Sequence, residues 1–178
     1  MVLRKRHLTY LLFLLTFVLL ASVSRSQQAS RVEKRISKNI DQAWPDRVVI
    51  RTELDIALNV PDPQDRKPKD KIFLLEDSSG SAGYMVLSSA KGRYEFFDFM
   101  ILYDTLGRIK NVDILVYRSD HGHEIMNKGW LRQFEGTKGC DLNYGKDIDA
   151  LSGATISANA LTKEIQRWCK VMEDGFVK

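Results

Sequence analysis

Cysteine is almost absent from this chain: Cys140 and Cys169 are the only two among 178 residues. Two thiols so far apart make no zinc site, and none follows the N-terminal apolar run to carry a lipoprotein anchor. Histidine is nearly as scarce, at His7, His121 and His123. No Ser-His-Asp or Cys-His constellation points to hydrolysis. The spaced glycines and Gly-Lys-Ser/Thr ending of a P-loop are missing. Excess charge is missing too, although the formal net charge is +4. Arg4, Lys5, Arg6 and Arg25 are the only charged residues in the first 26, and without those four the chain has 23 basic residues against 23 acidic. A near-neutral body argues against nucleic acid as a partner, because phosphate-backbone binding needs a basic surface. No internal repeat is visible.

What is present begins with a leader. Arg4-Lys5-Arg6 precedes an apolar run from Leu8 to Ala21, interrupted only by Thr9 and Thr16, with Ser22 and Ser24 following. This is the order of an export signal. The run is shorter than the ~20 residues that span a bilayer, which favours a cleaved signal peptide over a retained membrane anchor. Either way the body is expected outside the cytoplasm, in a periplasm or on the outer face of the membrane. Expected boundaries are 1–26 for the leader, 27–71 for an N-terminal helix, strand and Pro-rich loop, and 72–178 for the main domain. In an oxidising compartment Cys140 and Cys169 either pair or serve as small buried apolar residues, and spacing does not decide.

Residues 27–35 are polar and read as a mobile lead-in. Ile36, Ile40, Ala43 and Trp44 fall at helical spacing and Pro45 stops them. A β-type run at Val48-Val49-Ile50 leads into alternation at Leu54, Ile56 and Leu58, and residues 59–71 form a loop with Pro61, Pro63 and Pro68. Strands are expected over 72–75, 83–88, 95–103 and 108–117, joined by short turns such as Asp104-Thr105-Leu106-Gly107. Broken alternation near Asn111-Val112 signals a bulge. A helix is expected over 124–134. A longer one starts at Ala154 or Thr155, with Ile156, Ala160, Leu161, Ile165, Trp168 and Met172 on its apolar face. The fold class is therefore α+β: an antiparallel sheet of about four to six strands, flanked by helices, with a helix at the C-terminus.

Chemistry concentrates at the start of that last helix. The first N–H groups of a helix lack internal partners and carry partial positive charge, so an anion is stabilised there. Gly153 allows close backbone approach, Ala154 adds no bulk, and Thr155 and Ser157 offer hydroxyls. Asp149 suits holding the loop through backbone N–H groups, or binding magnesium transiently while a group is attached. The plain alternative makes Ser152 an N-cap and Thr155 ordinary helix surface, and on the residues alone it is the commoner arrangement.

The stretch Asp149-Ala150-Leu151-Ser152-Gly153-Ala154-Thr155-Ile156-Ser157 resembles the covalent flavin-attachment motif of the FMN-binding domain family, which includes subunits of the sodium-pumping NADH:quinone oxidoreductase and the Rnf complex. The resemblance extends over roughly residues 83–168. It implies FMN as cofactor, esterified through its phosphate to Thr155 by a flavin transferase. Asp149 would be the recognition aspartate, Ser152, Gly153 and Ala154 the turn, and Ser157 the small hydroxyl residue after the acceptor. It further implies electron transfer to a redox partner such as a membrane electron-transport complex, with no catalytic residue of the chain's own. One departure stands out: relatives carry a Glu-Thr-Pro-Gly-type loop after the fourth strand, and here Ser119-Asp120-His121-Gly122-His123-Glu124 replaces it. His121 and Gly122 are expected as flavin-loop contacts. His121 and His123 with Asp120 or Glu124 also offer metal ligands, though such a loop pair is more often plain polar surface. Trp130 and Tyr144 suit either ring stacking or packing. Two other readings remain at this stage: FMN held reversibly in a reductase-like enzyme, and an exported interaction module without cofactor.

Overall fold

The computed structural model describes residues 26–55, 67 and 69–176. The leader and most of the Pro-rich loop lie outside the described residues, including the expected strand positions Ile56 and Leu58. Contacts divide the chain at Ser37/Lys38. Of the first unit only helical residues 26–37 are described. Helix α1 (26–43) ends one residue before Trp44. The expected mobile lead-in at 27–35 is helical instead. Its Gln, Ala, Arg, Glu and Lys residues are strong helix formers, and the stretch lacked only an apolar stripe to announce it.

Five strands follow: β1 (Ile50–Leu54), β2 (Lys71–Asp77), β3 (Gly80–Lys91), β4 (Phe96–Tyr103) and β5 (Ile109–Val116). They form one sheet in sequence order, every neighbour antiparallel. This is the α+β meander expected from the alternating runs and short turns. The bulge is real: Leu102 pairs with Asn111 and Tyr103 with Ile109, leaving Lys110 as the extra residue. After β5 come a 3-10 turn (His123–Met126), the short helix α2 (Lys128–Leu131) and a second 3-10 turn (Arg132–Phe134). One continuous helix was expected over 124–134. Asn127 breaks it, because its side chain accepts a hydrogen bond from the Trp130 N–H at 3.1 Å and starts a new helix. Helix α3 (Thr155–Gly175) closes the chain.

Both sheet faces are covered. Phe97, Phe99, Ile101 and Tyr103 on β4 share the main core with Val112 and Ile114 of β5 and with Ala158, Leu161, Ile165, Trp168 and Met172 of α3. The spacing of those α3 residues is the helical repeat of a buried stripe. On the opposite face Met100 and Leu102, also fully buried, pair with Asp113 and Asn111. There the Asn39 amide of α1 donates to the Asp113 carboxylate at 2.8 Å. Two groups on the α3 side, Arg167 and Asp70, form a 3.0 Å ion pair, with the Asp70 carboxylate fully buried. The Asp70 carboxylate also accepts from the Ser88 hydroxyl and the Lys67 N–H, so its burial is compensated. Among the described residues no helix is long and apolar enough to cross a membrane.

Candidate functional site

The segment before α3 is irregular but firmly held. Cys140 and Cys169 form a disulfide, with their Cα atoms 5.2 Å apart, closing a loop of 29 residues in sequence around the attachment-like motif. In the chain-entropy account a loop of that length contributes about 3–4 kcal/mol. The Gln166 amide donates to the Leu142 carbonyl at 2.7 Å. Asn143 donates to the Asp147 carboxylate from both its backbone N–H and its side chain, each at 2.9 Å. These two bonds hold the Asp147 carboxyl below the usual carboxylate range, the side-chain bond first and the backbone bond second.

Three contacts then fix residues 149–151. The Trp130 indole donates to the Asp149 carbonyl at 2.8 Å, the Asp149 N–H donates to the Gln133 side-chain carbonyl at 2.9 Å, and the Leu151 N–H donates to the Tyr144 hydroxyl at 2.8 Å. Trp130 is buried edge-on to Phe134 with ring centroids 5.4 Å apart. Trp130 and Tyr144 are thus packing and pinning residues of the loop rather than stacking surfaces. Asp149 itself is exposed, and among the described residues its carboxylate makes no hydrogen bond. The loop is held through the Asp149 backbone, not through its side chain as the sequence suggested.

Helix α3 begins at Thr155, with Ala154 as N-cap and no side-chain cap. Ser152 is exposed and is not the N-cap, so that half of the plain reading falls, while an exposed Thr155 in the first turn fits ordinary helix surface as well as an attachment point. The first-turn N–H groups at 155–157 therefore have neither an intrahelical partner nor a polar capping side chain. Thr155 is exposed, and its hydroxyl donates to the Leu151 carbonyl at 3.2 Å.

A cavity of about 310 Å³ opens over this turn, lined by Gly153 and Ala154 before α3, by Thr155, Ile156 and Ser157 of its first turn, by Arg93 of the β3–β4 hairpin, and by Tyr117, His121 and Gly122 after β5. Tyr117 organises the far wall. Its hydroxyl donates to the His121 carbonyl at 2.9 Å and, its single proton so used, accepts from the buried Ser157 hydroxyl at 3.0 Å. Ser157 is thus a structural tie and Thr155 the outward hydroxyl. Gly122 and Gly153 both have positive φ, at 85° and 84°. A Cβ on Gly122 would come within 2.6 Å of the Tyr117 hydroxyl, and one on Gly153 within 2.7 Å of the Glu124 carboxyl carbon. Glycine at both places is what lets the His121–Glu124 loop lie against the turn.

Sequence reasoning missed three lining residues, Arg93, Tyr117 and the exposed Ile156, and Tyr94 beside them. Arg93 and Tyr94 sit on the β3–β4 hairpin, Arg93 with its guanidinium 5.3 Å over the Tyr94 ring, and Tyr94 meets His121 edge-on with centroids 6.3 Å apart. Ile156, expected on the buried face, is 51% exposed. It stands about 200° around the helix from Ala158, where the buried stripe begins. An exposed aromatic followed two residues later by Phe96 at a hairpin tip is the signal that was available. His121 and His123 are both exposed, and among the described residues no metal-ligating cluster forms at that loop.

Residues 93–170 match the family model of the FMN-binding domain, the family that the Asp149–Ser157 motif resembles. No curated protein matches the chain significantly. Among solved structures the chain is similar to NqrC of Shewanella oneidensis, with a TM-score of 0.50 and 18% identity over 78% of this chain and 83% of that one. At that identity the likeness is one of fold.

Proposed function

We propose that this chain carries FMN as a phosphodiester on the Thr155 hydroxyl and acts as an extracytoplasmic electron-transfer flavoprotein. The observation that carries the reading is the exposed Thr155 hydroxyl at the first position of a helix whose N–H groups lack a side-chain cap, inside the segment matched as an FMN-binding domain. Attachment joins Thr155 Oγ1 to the phosphorus of FMN with net loss of one water. The first-turn N–H groups, where the helix dipole stabilises negative charge, would hold the FMN phosphate, and Arg93 would supply a full positive charge in the same cavity. Ile156, His121 and Tyr94 offer an apolar and aromatic rim to the isoalloxazine ring.

When bound, FMN supplies the one- and two-electron chemistry; the protein supplies attachment, orientation and exclusion of solvent. On this reading the residues that line the cavity hold and orient the flavin and none of them needs to act as an acid, base or nucleophile in turnover. Asp149, exposed on a segment held by its backbone, is presented to a flavin transferase, where it can help hold the magnesium used during attachment. A tether suits a domain outside the cytoplasm, beyond the cell's supply of free FMN. The leader at 1–26 supports that location, and the redox partner is proposed to be a membrane electron-transport component.

Acid precipitation tests the reading. Protein made with a flavin transferase and an export route should keep its flavin in the pellet. Yellow colour released to the supernatant would favour reversible binding, and colourless protein would favour an interaction module.

A further inference from the structure

A second recess lies on the sheet face opposite α3 and has no part in the flavin reading. Its cavity is about 290 Å³ and is lined by Asn39 and Gln42 of α1, Lys110, Asn111 and Asp113 of β5, and Lys128, Arg132 and Glu135 around α2. Four observations converge on it. First, three cations, Lys110, Lys128 and Arg132, gather round one opening, and among the described residues none of them forms an ion pair. Lys110 rests 5.4 Å over the Trp44 ring, a contact that leaves its charge unneutralised. Second, Lys110 is the extra residue of the β5 bulge, the device by which a strand re-aims a side chain beside a site. Third, the Asn111 side-chain oxygen is buried and has no hydrogen-bond donor among the described residues. An acceptor left so costs free energy until a donor reaches it. Fourth, the lining holds two acids, Asp113 (4% exposed, with Asn39 donating to it) and Glu135, against the three cations, so the recess keeps a net positive charge.

We infer that this recess binds a small organic anion, a carboxylate or phosphate ester that also carries a hydroxyl or amino group. The anionic end is held by Lys128, Arg132 and Lys110. Arg132 presents the planar fork that suits an oxyanion. The donor group reaches the Asn111 side-chain oxygen, and Glu135 and Gln42 give polar walls. The recess adjoins α2, the same turn of chain whose Trp130 holds the attachment loop.

The test is a titration of ¹⁵N-labelled protein with malate and, separately, glycerol 3-phosphate, followed by amide shifts. Either ligand should give saturable shifts confined to residues 39–43, 110–113 and 128–135. Tighter malate binding assigns a carboxylate, and tighter glycerol 3-phosphate binding a phosphate ester. The Lys128→Ala/Arg132→Ala double variant, changed only at exposed positions, should weaken binding about tenfold or more, the scale of losing charge-assisted hydrogen bonds. Succinate, which lacks the malate hydroxyl, should bind several-fold more weakly to the native protein, and Asn111→Leu should erase that difference. Absence of saturable shifts with both probes at tens of millimolar would overturn the inference. So would shifts scattered over surface lysines that the double variant leaves unchanged.

Discussion

The indole Nε1 of Trp130 donates a 2.8 Å hydrogen bond to the backbone carbonyl of Asp149, reaching over 19 residues of sequence to hold the loop before α3. Trp130→Phe keeps an aromatic ring in the buried site but leaves that carbonyl without its donor. Stability should fall by about 1–2 kcal/mol, from the lost ring volume together with the loss of a part-buried hydrogen bond. Urea denaturation checks this. Flavin loading should fall with it, because the loop that carries Asp149 is no longer fixed.

Gly122→Ala should destabilise more than its backbone strain alone. At φ 85° the new Cβ would lie 2.6 Å from the Tyr117 hydroxyl, displacing the bonds to His121 and Ser157. Gly136→Ala is the control, at φ 79° with nothing within 4 Å of its Cβ. The control should lose about 1–2 kcal/mol, the ordinary left-handed penalty, and Gly122→Ala clearly more. Equal losses in urea denaturation would contradict the close packing of the loop on the turn.

Arg93 is exposed on its hairpin, so Arg93→Glu should leave stability within about 0.5 kcal/mol. Flavin content per chain, read from absorbance after denaturation, should nevertheless drop several-fold, because a negative charge now faces the phosphate. Arg93→Lys should restore most of it.

Asp147 makes the loop before α3 sensitive to acid. Its folded carboxyl is held low by the two Asn143 bonds. A depressed carboxyl contributes stability above its unfolded pKa, and that contribution is lost as pH falls through the lower folded value. The Asn143 amide signal should therefore titrate with a midpoint below the usual carboxylate range. In Asp147→Asn that transition should vanish.

Much of this was legible because the relevant signals are local. The strands of the meander each carry their own alternation and are joined by turns of Gly, Asp and Ser. The last helix carries a repeat through Leu161, Ile165, Trp168 and Met172. The attachment-like turn is contiguous in sequence. What escaped depends on distant partners. Met100 and Leu102 are as fully buried as the residues that face α3, so β4 shows burial on both sides where alternation alone promises one. Ile156 looks apolar and helical, yet lies on the helix before the stripe begins at Ala158. Arg93 reads as a turn residue 62 positions before Thr155 until the sheet brings the two to one cavity. Cys140 and Cys169 needed a Cα separation of 5.2 Å to decide between bridge and buried thiols.

The most direct test of the account is the intact mass of the protein made alongside a flavin transferase and an export route. The account predicts a chain heavier by one FMN less one water, with the modification mapped to the peptide containing Thr155. Thr155→Ala should give a folded protein of equal stability with no added mass. An unmodified native chain under those conditions, or an alanine variant that keeps the full adduct, would contradict it.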